Sequence, residues 1–283
     1  MKNIKRIYLV ILLVFQAGLI FSQKDFSFVY LPDMHLHFDS LNIGNFERIA
    51  AQVNALHPDF VLTGGDMIYT AKNVNDDKAR LLFDLMDKEF KLFKMPVHMT
   101  MGNHENVGIT GDATIDSSNV NWGKKMFIKR YHQRYYTFVY NGWKFFVLDG
   151  IKILVKQRNY TEGVDSVQVE WIKKELSTTD KKMPIIISIH PPLVSPEGIT
   201  KYPSKIISAN SAMVLDLFKD YNLKTVLEGH THRYMFLYVN GIYYINGGST
   251  EYGTDPFDFG FINVNIKNNT EDIKFLNLAG SNR

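Results

Sequence analysis

The chain has 283 residues and no cysteine at all. Disulfides, thiolate metal sites and a thiol nucleophile are therefore excluded. The fold must be held together by its apolar core, and about 260 residues can bury one large enough. Any metal would be bound by imidazole nitrogens and oxygens, a ligand set that suits iron, manganese or zinc better than copper(I).

The first residues have the order of features found in an export signal. A basic start is followed by the uncharged apolar run 7–15, and a shorter run ends at Ser22-Gln23. This pattern is typical of a secretory signal peptide, so residues 1–22 are predicted to be cleaved and the protein to be periplasmic or secreted. An uncleaved membrane anchor is the alternative. Gln16 and Gly18 interrupt the apolar stretch and leave it short for a spanning helix, so no stable anchor is expected after cleavage.

A strong net charge is also missing. The chain has 32 basic and 29 acidic residues, and three of the basic ones lie in the predicted signal peptide. The mature protein is therefore close to neutral and lacks the basic surplus that long nucleic acid requires, which disfavours a nuclease. There is no low-complexity segment, repeat or obvious linker either, so residues 23–283 are predicted to form a single domain.

Apolar strand patterns alternate with amphipathic helix patterns over most of the chain, which predicts βαβ units and a largely parallel, buried sheet. The predicted strands are Ser27–Leu31, Phe60–Thr63, Val97–Met101, Trp143–Leu148, Ile185–Ile189 and Thr225–Leu227. The predicted helices are Phe46–Leu56, Asp77–Phe93, Trp122–His132, Ser166–Leu176 and Ser211–Tyr221. After Tyr234 the pattern changes to short alternating strands with a turn signal at Asn240-Gly241, and these are predicted to form a second, antiparallel sheet packed on the first.

Five short polar segments follow predicted strands and hold most of the side chains that could bind a metal. They offer two aspartates, one amide and five imidazoles. The segments are Asp33-Met34-His35, Gly65-Asp66, Gly102-Asn103-His104-Glu105, His190 and Gly229-His230-Thr231-His232. Because loops beyond the carboxyl ends of parallel strands converge, these residues are expected to meet in one crevice, with the glycines allowing close backbone approach. Taken singly, each segment has an ordinary explanation as turn or loop chemistry, so the prediction rests on all five in order.

These segments resemble the D-x-H, GD, GNH-[DE], H and GHxH pattern of the calcineurin-like metallophosphoesterases, and the resemblance runs from about Phe26 to about Ile266. It implies a four-layer α/β/β/α sandwich of two mixed sheets in the α/β class. It also implies two divalent or trivalent metal ions (Mn, Fe or Zn) that share Asp66. The first ion would be bound by Asp33, His35, Asp66 and His232, and the second by Asp66, Asn103, His190 and His230. Asp66 is expected to bridge by turning one oxygen towards each ion.

The resemblance further implies hydrolysis of a phosphate ester by a hydroxide that bridges the two ions. His104 has no metal in this scheme and is predicted to be catalytic, either by hydrogen bonding the phosphoryl oxygen or by protonating the leaving alkoxide. Glu105 is predicted to assist by holding the far nitrogen of His104. The remaining histidines His57, His98 and His132 are predicted to be structural. His37 is predicted to be exposed, with a role on the substrate side as the alternative.

One segment departs from the general pattern. Gly65-Asp66-Met67-Ile68-Tyr69 reads GDxxY, the form found in purple acid phosphatases, where the tyrosine binds ferric iron. Those enzymes have glycine where this chain has His35, and the two side chains would compete for one coordination position. His35 is therefore expected to bind the metal and Tyr69 to pack beside it, with a tyrosinate–iron site as the alternative.

The segments expected to select the substrate are 106–121, 151–163 and 191–208. Their lysines and aromatic residues suit a small phosphate ester that carries an organic group, although solvated loops often contain lysines anyway. The sequence thus predicts an exported phosphoesterase that acts on small phosphomonoesters or phosphodiesters. A catalytically idle metal- or ligand-binding module on the same scaffold, or a nuclease, is the alternative. The substrate-binding residues and the oligomeric state are not predicted.

Overall fold

The structure is a computed structural model, and it describes residues 24–111, 113–196 and 208–279. Its helices are α1 Ser40–Leu56, α2 Asp76–Glu89, α3 Lys125–Tyr131, α4 Ser166–Ser177 and α5 Ser211–Leu217, with a 3-10 turn at Phe90–Leu92. Its strands are β1 Phe26–Leu31, β2 Phe60–Thr63, β3 Val97–His98, β4 Tyr136–Tyr140, β5 Trp143–Leu148, β6 Ile151–Leu154, β7 Asn159–Glu162, β8 Ile185–Ile189, β9 Leu223–Glu228, β10 Tyr234–Val239, β11 Ile242–Gly247, β12 Gly260–Lys267 and β13 Thr270–Asn277.

Two large mixed sheets form the centre of the protein. The first sheet has the strand order β13-β12-β1-β2-β3, and the second has the order β10-β11-β9-β8-β5-β4. Neighbours β1, β2 and β3 run parallel, as do β5, β8, β9 and β11, while the outer strands pair antiparallel. The predicted α/β class with a parallel centre is confirmed.

Three apolar cores separate four layers. Phe28 and Phe60 of the first sheet pack against Phe145 of the second, with ring centroids 5.5 and 5.4 Å from that of Phe145. The outer face of the first sheet packs against α1, α2 and α3, and that of the second sheet against α4 and α5. The resulting order of helices, sheet, sheet and helices is the four-layer α/β/β/α sandwich that the family resemblance implied.

The carboxylate of Asp39 explains why α1 begins earlier than predicted. Its side chain accepts hydrogen bonds from the amides of Leu41 and Asn42, so the helix begins at Ser40 rather than at Phe46. The apolar periodicity that the prediction used becomes visible only at Phe46. An N-cap of this kind satisfies amides that the first helical turn leaves unpaired.

The prediction of a separate antiparallel sheet after Tyr234 is wrong. Strand β11 pairs parallel with β9, and β12 pairs antiparallel with β1, so the four C-terminal strands are divided between the two sheets. Strand β12 is buried over most of its length because it covers the edge of β1 that β2 leaves open. Residues 151–163, read from the sequence as a loop, contain the hairpin β6–β7.

The predicted signal peptide, residues 1–22, lies outside the described residues. In the part of the chain that the structure describes, none of the helices combines the length and apolar character needed to cross a bilayer.

Candidate metal centre

The five polar segments meet at one edge of the two sheets. Asp33 and His35 follow β1, Asp66 follows β2, and His190 follows β8. The Nε2 atoms of His35 and His190 lie 3.7 and 3.2 Å from Oδ2 of Asp66. The convergence expected at the strand ends is therefore present.

Asp33, His35 and His232 form what we call the outer group. Nε2 of His35 and Nε2 of His232 are 3.0 Å apart, and Nε2 of His232 lies 3.4 Å from Oδ1 of Asp33. All three residues present ligand atoms within 4.8 Å of one another. This spacing could place the three side chains around a single cation.

Asn103, His190 and His230 form the inner group. Oδ1 of Asn103 lies 3.0 Å from Nε2 of His190 and 3.1 Å from Nδ1 of His230. Asp66, His190 and His230 also satisfy the 4.8 Å spacing of a possible metal site. The inner group could hold a second cation beside the first.

Asp66 lies between the two groups. Its Oδ2 faces both His35 and His190, while Oδ1 accepts a hydrogen bond of 2.9 Å from the amide of His104. A carboxylate oxygen that accepts one hydrogen bond keeps a lone pair, so the expectation that each oxygen faces its own ion stays a prediction. Gly102 also packs against Oδ1, where a Cβ atom would collide with the carboxylate.

The hydrogen bonds of the imidazoles show that the centre suits cations. Nδ1 of His190 donates to the carbonyl of Gly64 at 2.8 Å, so when the ring is neutral its Nε2 turns a lone pair towards Asp66 and Asn103. The Asn103 amide donates from Nδ2 to the Tyr160 hydroxyl at 3.1 Å, which leaves its oxygen facing the same point. Acceptors that converge in this way need a cation, or a proton on a ring, to offset their repulsion.

Backbone strain is concentrated at the same residues. Asp33, His35, Asp66, His230 and His232 all have positive φ angles between 45° and 71°. A non-glycine residue in this region costs on the order of 1 kcal/mol or more, and such residues cluster at functional sites. Gly65 also has positive φ, and a Cβ atom there would lie 2.6 Å from Nδ1 of His190.

The pKa values differ sharply within the centre. Burial disfavours the charged forms, yet the charge on His104 and His190 holds the pKa of Asp66 well below its usual range. Burial alone would lower the pKa of His190, but the carboxylates of Asp66 and Asp33 raise it to about 9. Burial lowers the pKa of His35 to about 4, so that ring is neutral at pH 7.

Glu105 does not hold the far nitrogen of His104, and that part of the prediction is wrong. Its fully buried carboxylate accepts hydrogen bonds of 2.7 to 3.2 Å from the amides of Asp66, Met67, Ile68 and Gly102. Burial and the charge of Asp66 raise its pKa to about 7. Glu105 therefore shapes the turn that carries Asp66.

His104 lies beside the outer group. Its Nδ1 donates to the carbonyl of Tyr69, and its Nε2 lies 3.7 Å from Oδ2 of Asp66. Burial lowers its pKa. His104, His35 and Asp66 also have the spacing of a possible metal site, so the geometry allows His104 to face either a substrate or a cation.

Tyr69 contributes its backbone to the centre. Its carbonyl also lies 3.4 Å from Nδ1 of His35, which directs Nε2 of that ring towards Asp66. The Tyr69 side chain is half exposed, and its ring packs 5.0 Å from the ring of His37. Nδ1 of His37 is 2.9 Å from the carbonyl of His35, so His37 supports the loop from outside the two groups.

Three partners of the candidate ligands were not identified from the sequence. Glu162 lies 3.7 Å from Nε2 of His230, Glu251 lies 3.8 Å from Nδ1 of His232, and Tyr160 bonds Asn103. Tyr160 and Glu162 both lie on β7, two residues apart, as expected for side chains on one face of a strand. The alternation of side chains along Asn159–Glu162 is the sequence signal that could have identified Tyr160 and Glu162.

A cavity of about 510 Å³ opens over both groups. Besides the candidate ligands and His104, it is lined by Tyr69, Thr70, Lys72, Asn73, Tyr160 and Glu251. Arg158, in the segment 151–163 that was expected to select the substrate, donates to the carbonyls of Ala113 and Ile115 at 2.6 and 3.0 Å. Lys201, Tyr202 and Lys205 lie outside the described residues.

Comparison with known proteins identifies the family. The calcineurin-like phosphoesterase model matches residues 26–234, well over half of the chain. This chain belongs to the calcineurin-like phosphoesterases. The family generally uses divalent metals, and membership in it supports a hydrolase. Glu251 lies beyond the matched residues.

Individual relatives are distant. Tartrate-resistant acid phosphatase type 5 of Rattus norvegicus is 22% identical over 242 residues, which cover 80% of this chain and 70% of that protein. The Homo sapiens protein is 22% identical over 243 residues and covers 80% and 71%.

Solved structures show the same fold. A dimetal phosphatase from Danio rerio has a TM-score of 0.66 at 15% identity, covering 89% of this chain and 96% of its own. GAP50, described as the anchor in the inner membrane complex of Plasmodium, has a TM-score of 0.56 at 18% identity, covering 89% and 84%.

Proposed function

We propose that this chain hydrolyses small phosphate esters with two metal ions, one in the outer group and one in the inner group, both adjoining Oδ2 of Asp66. The observation that carries the proposal is the convergence of imidazole, amide and carboxylate acceptors on two neighbouring points around that oxygen. Bound cations would supply positive charge for phosphoryl oxygens and lower the pKa of water. Imidazole and oxygen donors suit manganese, iron or zinc.

The chain's own residues would position the ester and handle its proton. Nε2 of His104 faces the cavity, while its Nδ1 donates a hydrogen bond to the carbonyl of Tyr69. A phosphate anion at this position would favour the protonated ring, which could then donate to the leaving oxygen. Glu105 would keep the Asp66 turn in place without contacting the ester.

A hydrolysis panel tests this function. The purified protein would be stripped with a chelator and reloaded separately with manganese, iron or zinc. Bound metal would be counted, and turnover measured on p-nitrophenyl phosphate, bis-p-nitrophenyl phosphate and nucleotides. Two ions per chain with turnover on at least one small ester are expected, and the chelated protein is the control.

An idle binding module is the second candidate because one neighbour of the same fold is described as an anchor. Two bound ions with no hydrolysis of any ester in the panel would favour that alternative. A preference for long DNA or RNA would instead indicate a nuclease, which the near-neutral charge disfavours.

We also propose that the protein is exported after cleavage at residue 22. The support is the order of charge and apolar residues in the first 22 positions. Mass spectrometry of the purified native protein should give Gln23 as the first residue, and fractionation should find it outside the cytoplasm. An intact Met1 in the membrane fraction would indicate an anchor instead.

A further inference from the structure

Lys72 stands at the edge of the cavity on a firmly held backbone. Its carbonyl accepts hydrogen bonds of 3.0 Å from both the amide and the hydroxyl of Thr110. Its own amide donates to the hydroxyl of Thr70 at 3.3 Å. The side chain lines the cavity that opens over the outer and inner groups.

The ammonium of Lys72 is placed next to the inner group by Tyr160. Nζ lies 5.5 Å from the centroid of the Tyr160 ring, whose hydroxyl accepts from Asn103. A single tyrosine ring therefore separates this cation from a candidate metal ligand. The arrangement orients the charge at a modest electrostatic gain.

Lys72 also differs in its partners from Lys124 and Lys144. Lys124 and Lys144 each pair with a carboxylate, Asp149 and Glu175 respectively. No ion pair or hydrogen bond engages the Lys72 ammonium within residues 24–111, 113–196 and 208–279. Asp66, Glu105 and Glu162 attract the ammonium without contacting it directly. A half-buried cation that faces a cavity with no carboxylate in direct contact is suited to bind an anion there.

The chemistry of phosphate esters identifies the anion. A phosphomonoester carries close to two negative charges at neutral pH and has three terminal oxygens, whereas a diester carries one charge and has an organic group on one of those positions. We propose that Lys72 binds a terminal oxygen of a phosphomonoester and makes this protein prefer monoesters to diesters. The proposal rests on the function proposed above and extends it to a substrate class.

The test compares two esters with the same leaving group. Lys72→Met keeps most of the stem on Tyr160 and removes the charge, Lys72→Arg retains the charge, and Lys78→Met neutralises an exposed lysine on α2 as the control. In Lys72→Met, kcat/KM for p-nitrophenyl phosphate should fall about tenfold or more, the scale of one lost charge-assisted contact, while the value for bis-p-nitrophenyl phosphate should change less than about twofold. Metal content should be unchanged, and Lys72→Arg should recover most of the monoester activity.

Calorimetry with inorganic phosphate gives a readout that does not require turnover. The metal-loaded Lys72→Met protein should bind phosphate about tenfold more weakly than the wild type, and Lys78→Met should bind it normally. Equal losses on both esters, or no loss on either and unchanged phosphate affinity, would overturn the assignment. If the wild type hydrolyses neither ester, the proposed function is contradicted independently of the role of Lys72. The phosphate titration would then still decide whether Lys72 binds the anion.

Discussion

The inner and outer groups contain similar side chains but are supported differently. His190 is fully buried and held by a carbonyl at 2.8 Å, and Asn103 is held by Tyr160 at 3.1 Å. In the outer group His35 reaches its supporting carbonyl at 3.4 Å, and the His232 side chain remains 36% exposed with Glu251 at 3.8 Å. The shorter supporting bonds leave His190 and Asn103 fewer alternative rotamers than the exposed His232 has.

This difference predicts that the two groups bind their ions with different affinities. Partners that fix a histidine's tautomer and orientation typically change metal affinity by about 10- to 100-fold. The inner group should therefore bind its ion more tightly and exchange it more slowly. The outer ion, beside the exposed His232, should be the first to leave under a chelator.

Asp66→Asn should have the largest effect, because Asp66 is the residue that both groups share. The amide replaces an anionic oxygen by a neutral one at the point that faces His35 and His190. Activity should be abolished and metal content should fall at both positions. Near-normal turnover with two ions bound would show that Asp66 is not a ligand shared by the two ions.

His104→Ala tests whether the outer group has another imidazole ligand. With a catalytic role for His104, kcat should fall by roughly a hundredfold or more while two ions remain bound. The loss should be smaller for p-nitrophenyl phosphate than for an alkyl phosphate, because p-nitrophenolate needs little protonation. Loss of an ion would instead assign His104 to the outer group as a ligand.

The supporting carboxylates allow the two groups to be weakened separately. Glu162→Gln should weaken the tighter ion by about tenfold, because Glu162 approaches His230. Glu251→Gln should weaken only the looser ion, through His232. Metal titration followed by chelator competition gives both affinities. The distinction between the groups would be contradicted if either variant weakened both ions equally.

Metal binding in both groups should depend on pH, because each group has a histidine with a raised pKa. The raised pKa of His190, about 9, means that its ring carries a proton at pH 7 that an inner ion must displace. His35, with a pKa of about 4, is already neutral there, and only His232 has a raised pKa in the outer group. Inner affinity should thus rise by up to about tenfold per pH unit between pH 6.5 and 8.5.

His35→Ala isolates the inner group for this measurement. Calorimetry in two buffers of different ionisation enthalpy should find close to one proton released per inner ion at pH 7. A binding reaction without proton release would mean that His190 is neutral before the metal arrives.

Tyr69→Phe should have the smallest effect, since the structure uses the Tyr69 carbonyl rather than a buried side chain. Activity should change by less than about twofold, and the wild type loaded with iron should show no tyrosinate charge-transfer band. A visible band that disappears in Tyr69→Phe but not in His35→Ala would make Tyr69 the ligand.

The sequence predicted the convergence of the candidate ligands because each follows a buried strand, and parallel strands present their carboxyl ends at one edge. The role of Glu105 could not be read in the same way. A glutamate next to His104 suggests a contact between neighbours, whereas the fold turns it towards four backbone amides. The single oxygen of Asp66 that faces both groups likewise depends on the amide of His104, which no sequence pattern specifies.

Strand pairing was predictable only in part. The alternation after Tyr234 identifies strands, but any open sheet edge can accept them, and the edge of β1 proved to be the one that β12 covers. The hairpin β6–β7 was missed because Asn159–Glu162 is short and mostly polar. Its inward-facing Tyr160 and Glu162 are recognisable as functional only after the strand has been placed.

Arg158 ties together segments that are distant in sequence. From β6–β7 it donates to the carbonyls of Ala113 and Ile115, and the neighbouring Thr110 holds the carbonyl of Lys72. The entrance to the cavity is thus one hydrogen-bonded unit made from three parts of the chain. Anyone building chimaeras with a relative to change specificity should transplant all three parts together, since a single exchanged loop would arrive without the donors that hold it.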